Sequence, residues 1–495
     1  FMRIYIALLG TVCLLLACST EEKNASKIHS KEIWQTEATA FLSSETNLIS
    51  FGVVDINQLL TKSIYDSELS ESGLVPLDMI DDYSKVIRTE LPIYYAVKSD
   101  TTGDLTDVEL IVVCKIKDPD LAIETMKKDF QIGELIHEND VKFILENDIK
   151  IGLTKSEMIF LISENITNDQ AKFSIHNTIE ALQSNRTNKD IREIITAQED
   201  IISALNIEAV QKFVSSVSQT GDLESNKNMT GTITMQLSFE KGRVIMTNKN
   251  YLSKEFTECN LFAENSKQML SKLGAGSPIA ALTLSLDLEG LEKLKRQYLP
   301  KSISNTIQDS DLDPSLKNLV PKELSVIEAF IQKDGIQNYI NGNLALGQYS
   351  NDSIHSEYSI YLGIGKGFAQ ILKNEFNPMR GFFHSLEIDD TKMELYTSKE
   401  NGQQNGTNTL QLKPEFTDLG GKPISAFLDI ERHPFKELLL NDKVSKRIAE
   451  LLKHVTLNAD LEGGELIITM KDEQTNAITQ IANLIPSLIL GSIFQ

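Results

Sequence analysis

The chain has 495 residues, of which 41% are hydrophobic, and its formal net charge is −22. A chain of this length can bury two or three hydrophobic cores. An acidic surface repels nucleic acid, so nucleic-acid-binding classes are excluded and no nucleic-acid partner is expected. The same charge disfavours direct docking on anionic lipid.

The first 17 residues have the three parts of a secretory signal. Arg3 is positive, residues 4–16 are apolar, and Ala17 is the small residue at the cut. The stretch Leu15, Leu16, Ala17 and Cys18 resembles the lipobox of bacterial lipoproteins. That resemblance implies a lipoprotein signal peptide at 1–17 and lipidation of Cys18, followed by a polar tether at 18–30. The alternative is an ordinary cleaved signal with an unmodified Cys18.

The residues after Cys18 bear on localisation. Ser19 resembles a signal for retention in the outer membrane, and Glu21 and Glu22 resemble the acidic export signal of Bacteroidota lipoproteins. Two or three acyl chains are enough for stable membrane association. We therefore expect an acidic lipoprotein of the cell envelope that is attached to the outer membrane through its lipid anchor. The periplasmic and cell-surface faces both stay open.

One pattern occurs three times along the chain. Residues 48–63, 280–296 and 424–440 each contain an apolar run, an aspartate and then a helical pattern. The aspartates are Asp55, Asp287 and Asp429, and each suits the start of a helix, where its side chain accepts free backbone N–H groups. A catalytic group of three carboxylates is the alternative explanation of these residues.

Hairpin and meander patterns complete the prediction of the fold. Alternating residues broken by turn residues predict hairpins at 233–248, 455–471 and 385–397, and a meander of four strands at 133–163. Helical periodicity dominates 168–220. We predict an α+β fold of repeated strand-helix-hairpin units, which form antiparallel sheets with helices packed on one face. The predicted regions are an N-terminal one at 31–270, a middle one at 271–415 and a C-terminal one at 416–495.

The order of the apolar segments resembles a Bacteroidota lipoprotein family of unknown function. The likeness rests on "FGVVDINQLLTKS", "PIYYAVKS", "VELIVVCKIKDPDLAIETMKK", "GKPISAFLDI" and "NAITQIANLIPSL". It spans most of the chain after the signal. The family implies a lipid-anchored α+β protein and assigns no activity.

No motif for catalysis, a metal or a cofactor is found, so we expect none of these. "GIGKGF" at 363–368 is interpreted as a tight turn between a strand and a helix, because it lacks the full dinucleotide and phosphate-loop patterns. "DSDLDPSLKNLV" at 309–320 begins like a calcium loop, but Pro314 and Val320 replace the glycine and glutamate that such a loop needs. Trp34 is interpreted as a packing residue rather than a platform for sugars.

Two cysteines, Cys114 and Cys259, follow the signal and the lipidation site. A disulfide between them is possible, and two buried free thiols are the preferred interpretation. The preferred function is a non-enzymatic binding or structural role that contacts an envelope protein. The alternative is an enzyme, or a protein that binds a small molecule or glycan at a site assembled from distant residues.

Overall fold

The structure is a computed structural model of the chain. It describes residues 25–62, 85–99, 108–129, 135–146, 149–163, 166–217, 230–263, 269–298, 339–350, 356–398, 410–413, 416, 422–432 and 449–482. Contacts divide the chain into two compact units. The first contains Phe1–Ser218, Thr232–Met246 and Asp472–Gln495, and the second contains Gln219–Gly231 and Thr247–Lys471.

The described strands carry the labels β1 to β18 in chain order. They are β1 Leu48–Val54, β2 Ile93–Ser99, β3 Val108–Lys115, β4 Ile136–Glu138, β5 Val141–Glu146, β6 Ile149–Leu153, β7 Glu157–Ile162, β8 Ile201–Asn206, β9 Gly231–Glu240, β10 Arg243–Leu252, β11 Ala280–Ser285, β12 Ile340–Ser350, β13 Ser356–Ile364, β14 Ser385–Ile388, β15 Lys392–Tyr396, β16 Ile424–Asp429, β17 Leu452–Ala459 and β18 Gly463–Met470. The division between the two units falls within β10.

The described α-helices carry the labels α1 to α10. They are α1 Ala25–Ser44, α2 Ile56–Lys62, α3 Pro119–Asp129, α4 Asn168–Leu182, α5 Lys189–Ile195, α6 Ile207–Val217, α7 Lys254–Thr257, α8 Leu288–Tyr298, α9 Lys366–Phe376 and α10 Ala477–Ala482. Short 3₁₀ helices lie at Ser271–Leu273 and Asn377–Phe382. The protein is therefore a mixed α+β protein, as its sequence predicts.

The sheet of the first unit is antiparallel. Its strands lie in the order β6, β7, β3, β2, β1, β8 and β9. Gly52 lies in the middle of β1, where an added Cβ atom would come within 2.1 Å of the carbonyl oxygen of Ile202 on β8. A side chain at this position would push the two strands apart.

Neighbouring residues of the same strands contribute to two different cores in the first unit. Phe51 and Val53 of β1 pack in a cluster with side chains of α1, α4 and α5. Val54, the next residue, packs in a second cluster with side chains of α2, α3 and α10. The alternation follows from the two-residue period of a β-strand.

The second unit repeats the strand order of the first. Its antiparallel strands lie in the order β14, β15, β13, β12, β11, β16 and β17. Each strand has a counterpart at the same place in the sheet and in the chain order of the first unit, so β1 corresponds to β11 and β8 to β16. The first unit adds β4 and β5, which extend the meander before β6. Strands from both 271–415 and 416–495 belong to this one sheet, because β11 pairs with both β12 and β16.

The local predictions are mostly confirmed. The three predicted hairpins are β9 with β10, β17 with β18, and β14 with β15, and the predicted meander is β4 to β7. The stretch 168–220, predicted to be mainly helical, contains the strand β8, which the sequence analysis missed. Helix α1 begins at Ala25, within the segment predicted to be a tether.

Candidate functional site

The three aspartates singled out in the sequence lie at strand ends and bind backbone N–H groups. Asp55 accepts from the N–H of Gln58 at 3.1 Å, and Asp287 accepts from the N–H of Gly290 at 2.9 Å. Each directly precedes a helix, α2 or α8, so the predicted role at a helix start is confirmed for both. Asp429 is the last residue of β16 and accepts from the N–H of Arg432 at 3.3 Å. The residues at 433–440, predicted to be helical, lie outside those that the structure describes.

A fourth residue of this kind escaped the sequence analysis. Asn206 is the last residue of β8, and its side chain accepts from the N–H of Ala209 at 3.3 Å, at the start of α6. The signal was present, because Asn206 also follows an apolar run and precedes an amphipathic pattern. It was hidden by the helical interpretation of the whole stretch around it.

The three aspartates do not form a catalytic group. Asp287 follows β11, and the N–H of Asp429 donates to the carbonyl oxygen of Ile279, just before β11 begins. Because β11 and β16 are antiparallel, these two carboxylates lie at opposite ends of the strand pair. The role of these residues in local structure explains their positions without chemistry.

A buried ion cluster forms in the first unit around Asp200, just ahead of β8. Its side chain is fully buried, and Oδ2 accepts from the N–H of Phe239 at 2.6 Å and from Lys62 Nζ at 2.9 Å. Lys62 also contacts Glu240 at 3.0 Å. Burial raises the pKa of Asp200, and the hydrogen bonds to Phe239 and Lys62 offset only part of this effect. Among the described residues, Asp200 Oδ1 has no hydrogen-bond partner.

A cleft of about 380 Å³ opens in the first unit where β1 begins and β8 ends. The apolar residues that line it are Leu42, Leu48, Phe51, Ile191 and Ile194. Amide and hydroxyl side chains line its walls, and these are Ser43, Asn47, Ser99, Asn188, Asn206 and Thr232. The cleft combines an apolar surface with several convergent polar groups, which is typical of small-molecule sites.

The charged groups of the cleft are largely paired. Glu45 contacts Lys98 at 3.1 Å, and Glu208 contacts Lys212 at 2.8 Å. Although burial lowers the pKa of Lys98, the charges and hydrogen bonds of Glu45 and Glu109 outweigh this effect, and its pKa is raised. Lys98 therefore stays positive at neutral pH and neutralises Glu45.

The second unit carries a sheet with an unusual distribution of polar residues. On β11, Thr283 and Ser285 are fully buried, whereas Leu282 and Leu284 are half-buried. Leu282 lies opposite Leu346 of β12 and Ala426 of β16, so the aliphatic residues continue across the sheet. We call this surface the aliphatic face; it consists of Leu282, Leu284, Leu344, Leu346, Ala426, Leu428, Val455 and Leu457. On the opposite side of the same strands, Ala281 and Phe427 belong to a buried cluster, so this sheet carries apolar residues on both faces.

The remaining candidates have structural explanations or lie outside the described residues. "GIGKGF" forms the predicted turn between β13 and α9. Trp34 is fully buried, donates from Nε1 to the carbonyl oxygen of Pro92 at 2.7 Å and packs edge-on against Tyr94, which confirms its packing role. Cys18 and the calcium-like residues 309–320 lie outside the described ranges.

The structure also shows where the cysteines lie and whether residues that could bind a metal come together. Cys114 and Cys259 are buried free thiols, as preferred from the sequence. Among the described side chains, histidine, cysteine, aspartate and glutamate do not gather in groups of three that would hold a metal ion. Within the same ranges, no helix is both long and apolar enough to cross a membrane.

Comparison with known proteins gives no family. No protein-family model matches the chain, and no curated protein matches it. Three solved crystal forms of TP0453, forms III, I and IV, are similar to part of it. Their sequence identities are 6%, 7% and 4%, their TM-scores 0.28, 0.26 and 0.27, and they cover 44%, 43% and 43% of this chain and 80%, 78% and 79% of theirs.

Proposed function

We propose that the protein is a lipid-anchored lipoprotein of the outer membrane that binds a partner protein of the cell envelope and turns over no substrate. It would belong to the Bacteroidota lipoprotein family of unknown function that its sequence resembles. The anchor rests on the lipobox that ends at Cys18. The binding role rests on the aliphatic face of the second unit.

The aliphatic face supports binding because its residues keep part of their apolar surface accessible, and contiguous accessible apolar surface marks interaction sites. Leu282, Leu346 and Ala426 lie opposite one another on adjacent strands, and each is only half-buried. Burying such leucines against a partner contributes roughly 25 cal/mol for each Å² of apolar surface removed from water. The polar residues on the other side of β11 are already buried, so the leucines are the side chains still available to a partner.

The charge of the chain favours one class of occupant. With a net charge of −22, two copies of this chain repel each other, and a partner with basic residues around an apolar surface is attracted. We propose that the face binds an apolar segment flanked by lysine or arginine in another envelope protein. We also propose that the helices of the second unit lie on one face of its sheet, the same side as the aliphatic face, since α9 packs against Ile360 and Leu362 of β13, which lie opposite Leu346 and Leu344. The proposed partner site is therefore bounded by α9 on the side of β13.

Crosslinking from the aliphatic face tests the function. A photoreactive amino acid is placed at Leu346 or Leu457 in the anchored protein, with a matched position at Phe173, which is 69% exposed on α4 of the first unit. We expect an adduct with another protein from the first two positions and none from the third. The purified partner should bind this chain more weakly at high salt, and Leu346→Gln should weaken its binding. Adducts only within the chain, adducts only with a second copy, or no adduct would overturn the proposal.

A further inference from the structure

The two units differ at corresponding strand ends. Asn206 closes β8 and Asp429 closes β16, and each accepts the N–H of the residue three positions further on. That residue is Ala209 in the first unit and Arg432 in the second. The same hydrogen bond at the strand end therefore places a short side chain in the first unit and a long cationic side chain in the second.

In the second unit, the side chain of Arg432 crosses the strand end to reach Ser277. Its guanidinium donates to Oγ of Ser277 at 3.1 Å and to the carbonyl oxygen of Ser277 at 3.0 Å. It also lies 3.8 Å from the buried carboxylate of Asp429. Ser277 lies shortly before β11, just as Asn47 lies directly before β1 in the first unit.

In the first unit, the corresponding space is the 380 Å³ cleft, and Ala209 and Asn47 are both among its lining residues. The second unit thus places a long cationic side chain at the strand end where the first unit has Ala209 beside an opening. An opening of this size, lined by apolar residues and several polar side chains, is typical of a ligand site.

The lining selects the chemistry of the ligand. The carboxylates of Glu45 and Glu208 are each in contact with a lysine, so neither is an unpaired charge. Asn47, Ser99 and Thr232 offer amide and hydroxyl groups that both donate and accept hydrogen bonds. Asp190, exposed at the rim, adds a carboxylate that accepts from hydroxyl groups. The apolar residues of the cleft suit the C–H groups on one face of a small ring.

We propose that this cleft binds a neutral, hydroxyl-rich small molecule of monosaccharide to disaccharide size. The proposal is independent of partner binding at the aliphatic face, because it concerns the first unit alone. It assigns to the cleft a set of groups that come from five separate parts of the chain, around Asn47, Ser99, Asn188, Asn206 and Thr232.

Sugar binding to the full chain tests the proposal. Glucose, N-acetylglucosamine and maltose are titrated against the Cys18→Ser chain, and binding is followed by saturation-transfer NMR. We expect at least one sugar to bind saturably, with an affinity that does not depend on salt. Charged probes of similar size, such as glutamate and lysine, should bind less well.

Two variants place the binding in the cleft. Ala209→Arg introduces the arginine of the second unit and should abolish binding. Asn47→Gly removes one amide at a residue whose φ of 56° suits glycine, and it should weaken binding about fivefold, the effect of one lost hydrogen bond. Phe173→Ser, on an exposed position outside the cleft, is the matched control and should bind as the parent does.

The outcomes separate the proposal from its alternatives. If the parent chain saturates with none of the three sugars, or if a charged probe binds better than all of them, the proposed ligand class is wrong. If Ala209→Arg keeps its thermal unfolding transition and binds a sugar as well as the parent, the sugar does not occupy the cleft. If Ala209→Arg fails to fold, the Asn47→Gly variant is the test. Sugar binding by Asn47→Gly that equals binding by the parent overturns the proposal.

Discussion

The backbone N–H of Asp55 donates to the carbonyl oxygen of Asp200 at 2.9 Å, which places two buried aspartates side by side where β1 ends and β8 begins. Each aspartate has its own lysine. Lys31 contacts Asp55 at 2.7 Å, and Lys62 contacts Asp200 at 2.9 Å. Each buried carboxylate therefore has its own countercharge at the junction of the two strands.

Lys62→Met should destabilise the first unit by about 2–4 kcal/mol at pH 7, since removing one partner leaves a buried carboxylate without its countercharge. Burial already raises the pKa of Asp200, and loss of Lys62 raises it further. The folded state then takes up a proton that the unfolded state has released. The destabilisation should therefore be largest near neutral pH and shrink as the pH falls towards about 4. Urea unfolding at several pH values measures it.

Lys212→Met is the matched control for this experiment. Lys212 forms an ion pair with Glu208, but the two side chains are 64% and 41% exposed. Exposed pairs of this kind contribute little, so the control should unfold like the parent. An equal loss of stability in both variants, or a loss in Lys62→Met that does not depend on pH, would contradict the interpretation.

Asp287→Ala should cost about 1 kcal/mol, the usual effect of losing a side chain that caps a helix start. The carboxylate accepts the N–H of Gly290 at 2.9 Å, and alanine leaves this donor without a partner. Asp287→Asn should restore nearly all of the stability, because an amide oxygen accepts the same bond. Chemical denaturation of the three proteins checks this order. A large loss in the asparagine variant would show that the negative charge, rather than the hydrogen bond, is needed.

The strand-end aspartates also show how much of the fold was readable from sequence. Asp55 and Asp287 mark a change from a strand period to a helix period, and both signals are local, so the prediction succeeded. The strand β8 was missed because it is short and continues directly into α6. The pairing of β1 with β8, and of β11 with β16, joins segments far apart in the chain, and no local pattern specifies such pairs.

The candidate sites were less readable than the fold. Asn47, Ser99 and Thr232 meet in the cleft only because β2, β1, β8 and β9 lie in this order in the sheet, and each residue alone is an ordinary polar residue. The aliphatic face could be recognised from the sequence only in part. Leu282 and Leu284 alternate with Thr283 and Ser285, and this alternation alone predicts that the leucines are the buried side chains. The structure instead buries the two hydroxyl side chains fully and the leucines only partly.

Tyr349→Phe should reduce the loss of stability at alkaline pH. Tyr349 is buried on β12, and its hydroxyl donates to the carbonyl oxygen of Leu273. Burial raises the pKa of Tyr349 from 10.0 to about 12. The unfolded state therefore releases this proton before the folded state does, and stability falls as the pH rises from 10 towards 12 by up to about 1.4 kcal/mol per pH unit.

The measurement is the free energy of unfolding between pH 8 and pH 12. At pH 8 the phenylalanine variant should be less stable by about 1 kcal/mol, since the carbonyl oxygen of Leu273 loses its donor. Above pH 10 the gap should close. The matched control is Tyr358→Phe, because Tyr358 is 43% exposed on the neighbouring strand β13. A gap that stays constant from pH 8 to pH 12 would show that Tyr349 has no part in alkaline unfolding.

Both cysteines should resist thiol reagents in the folded protein. Cys114 is 1% exposed, and burial raises its pKa to about 12, so almost no reactive thiolate is present at pH 8. Cys259 is also 1% exposed. Mass spectrometry after maleimide treatment of the Cys13→Ser, Cys18→Ser chain should show no label under native conditions and two labels in denaturant. Two missing labels in denaturant without reductant would reveal a disulfide instead.

Cys18→Ser should release the protein from membranes. The stretch that resembles a lipobox ends at Cys18, and serine has no thiol to accept the diacylglycerol. Each CH₂ group of an acyl chain contributes about 0.8 kcal/mol to membrane binding, so the loss of two or three chains removes nearly all of it. The net charge of −22 then repels the protein from anionic lipid. Cell fractionation and the mass of the N-terminal peptide are the measurements.

Cys114→Ser, which changes a buried thiol of the folded part, is the control and should stay with the membrane. A Cys18→Ser protein that still fractionates with membranes, or a parent peptide without acyl mass, would show that Cys18 is not the anchor.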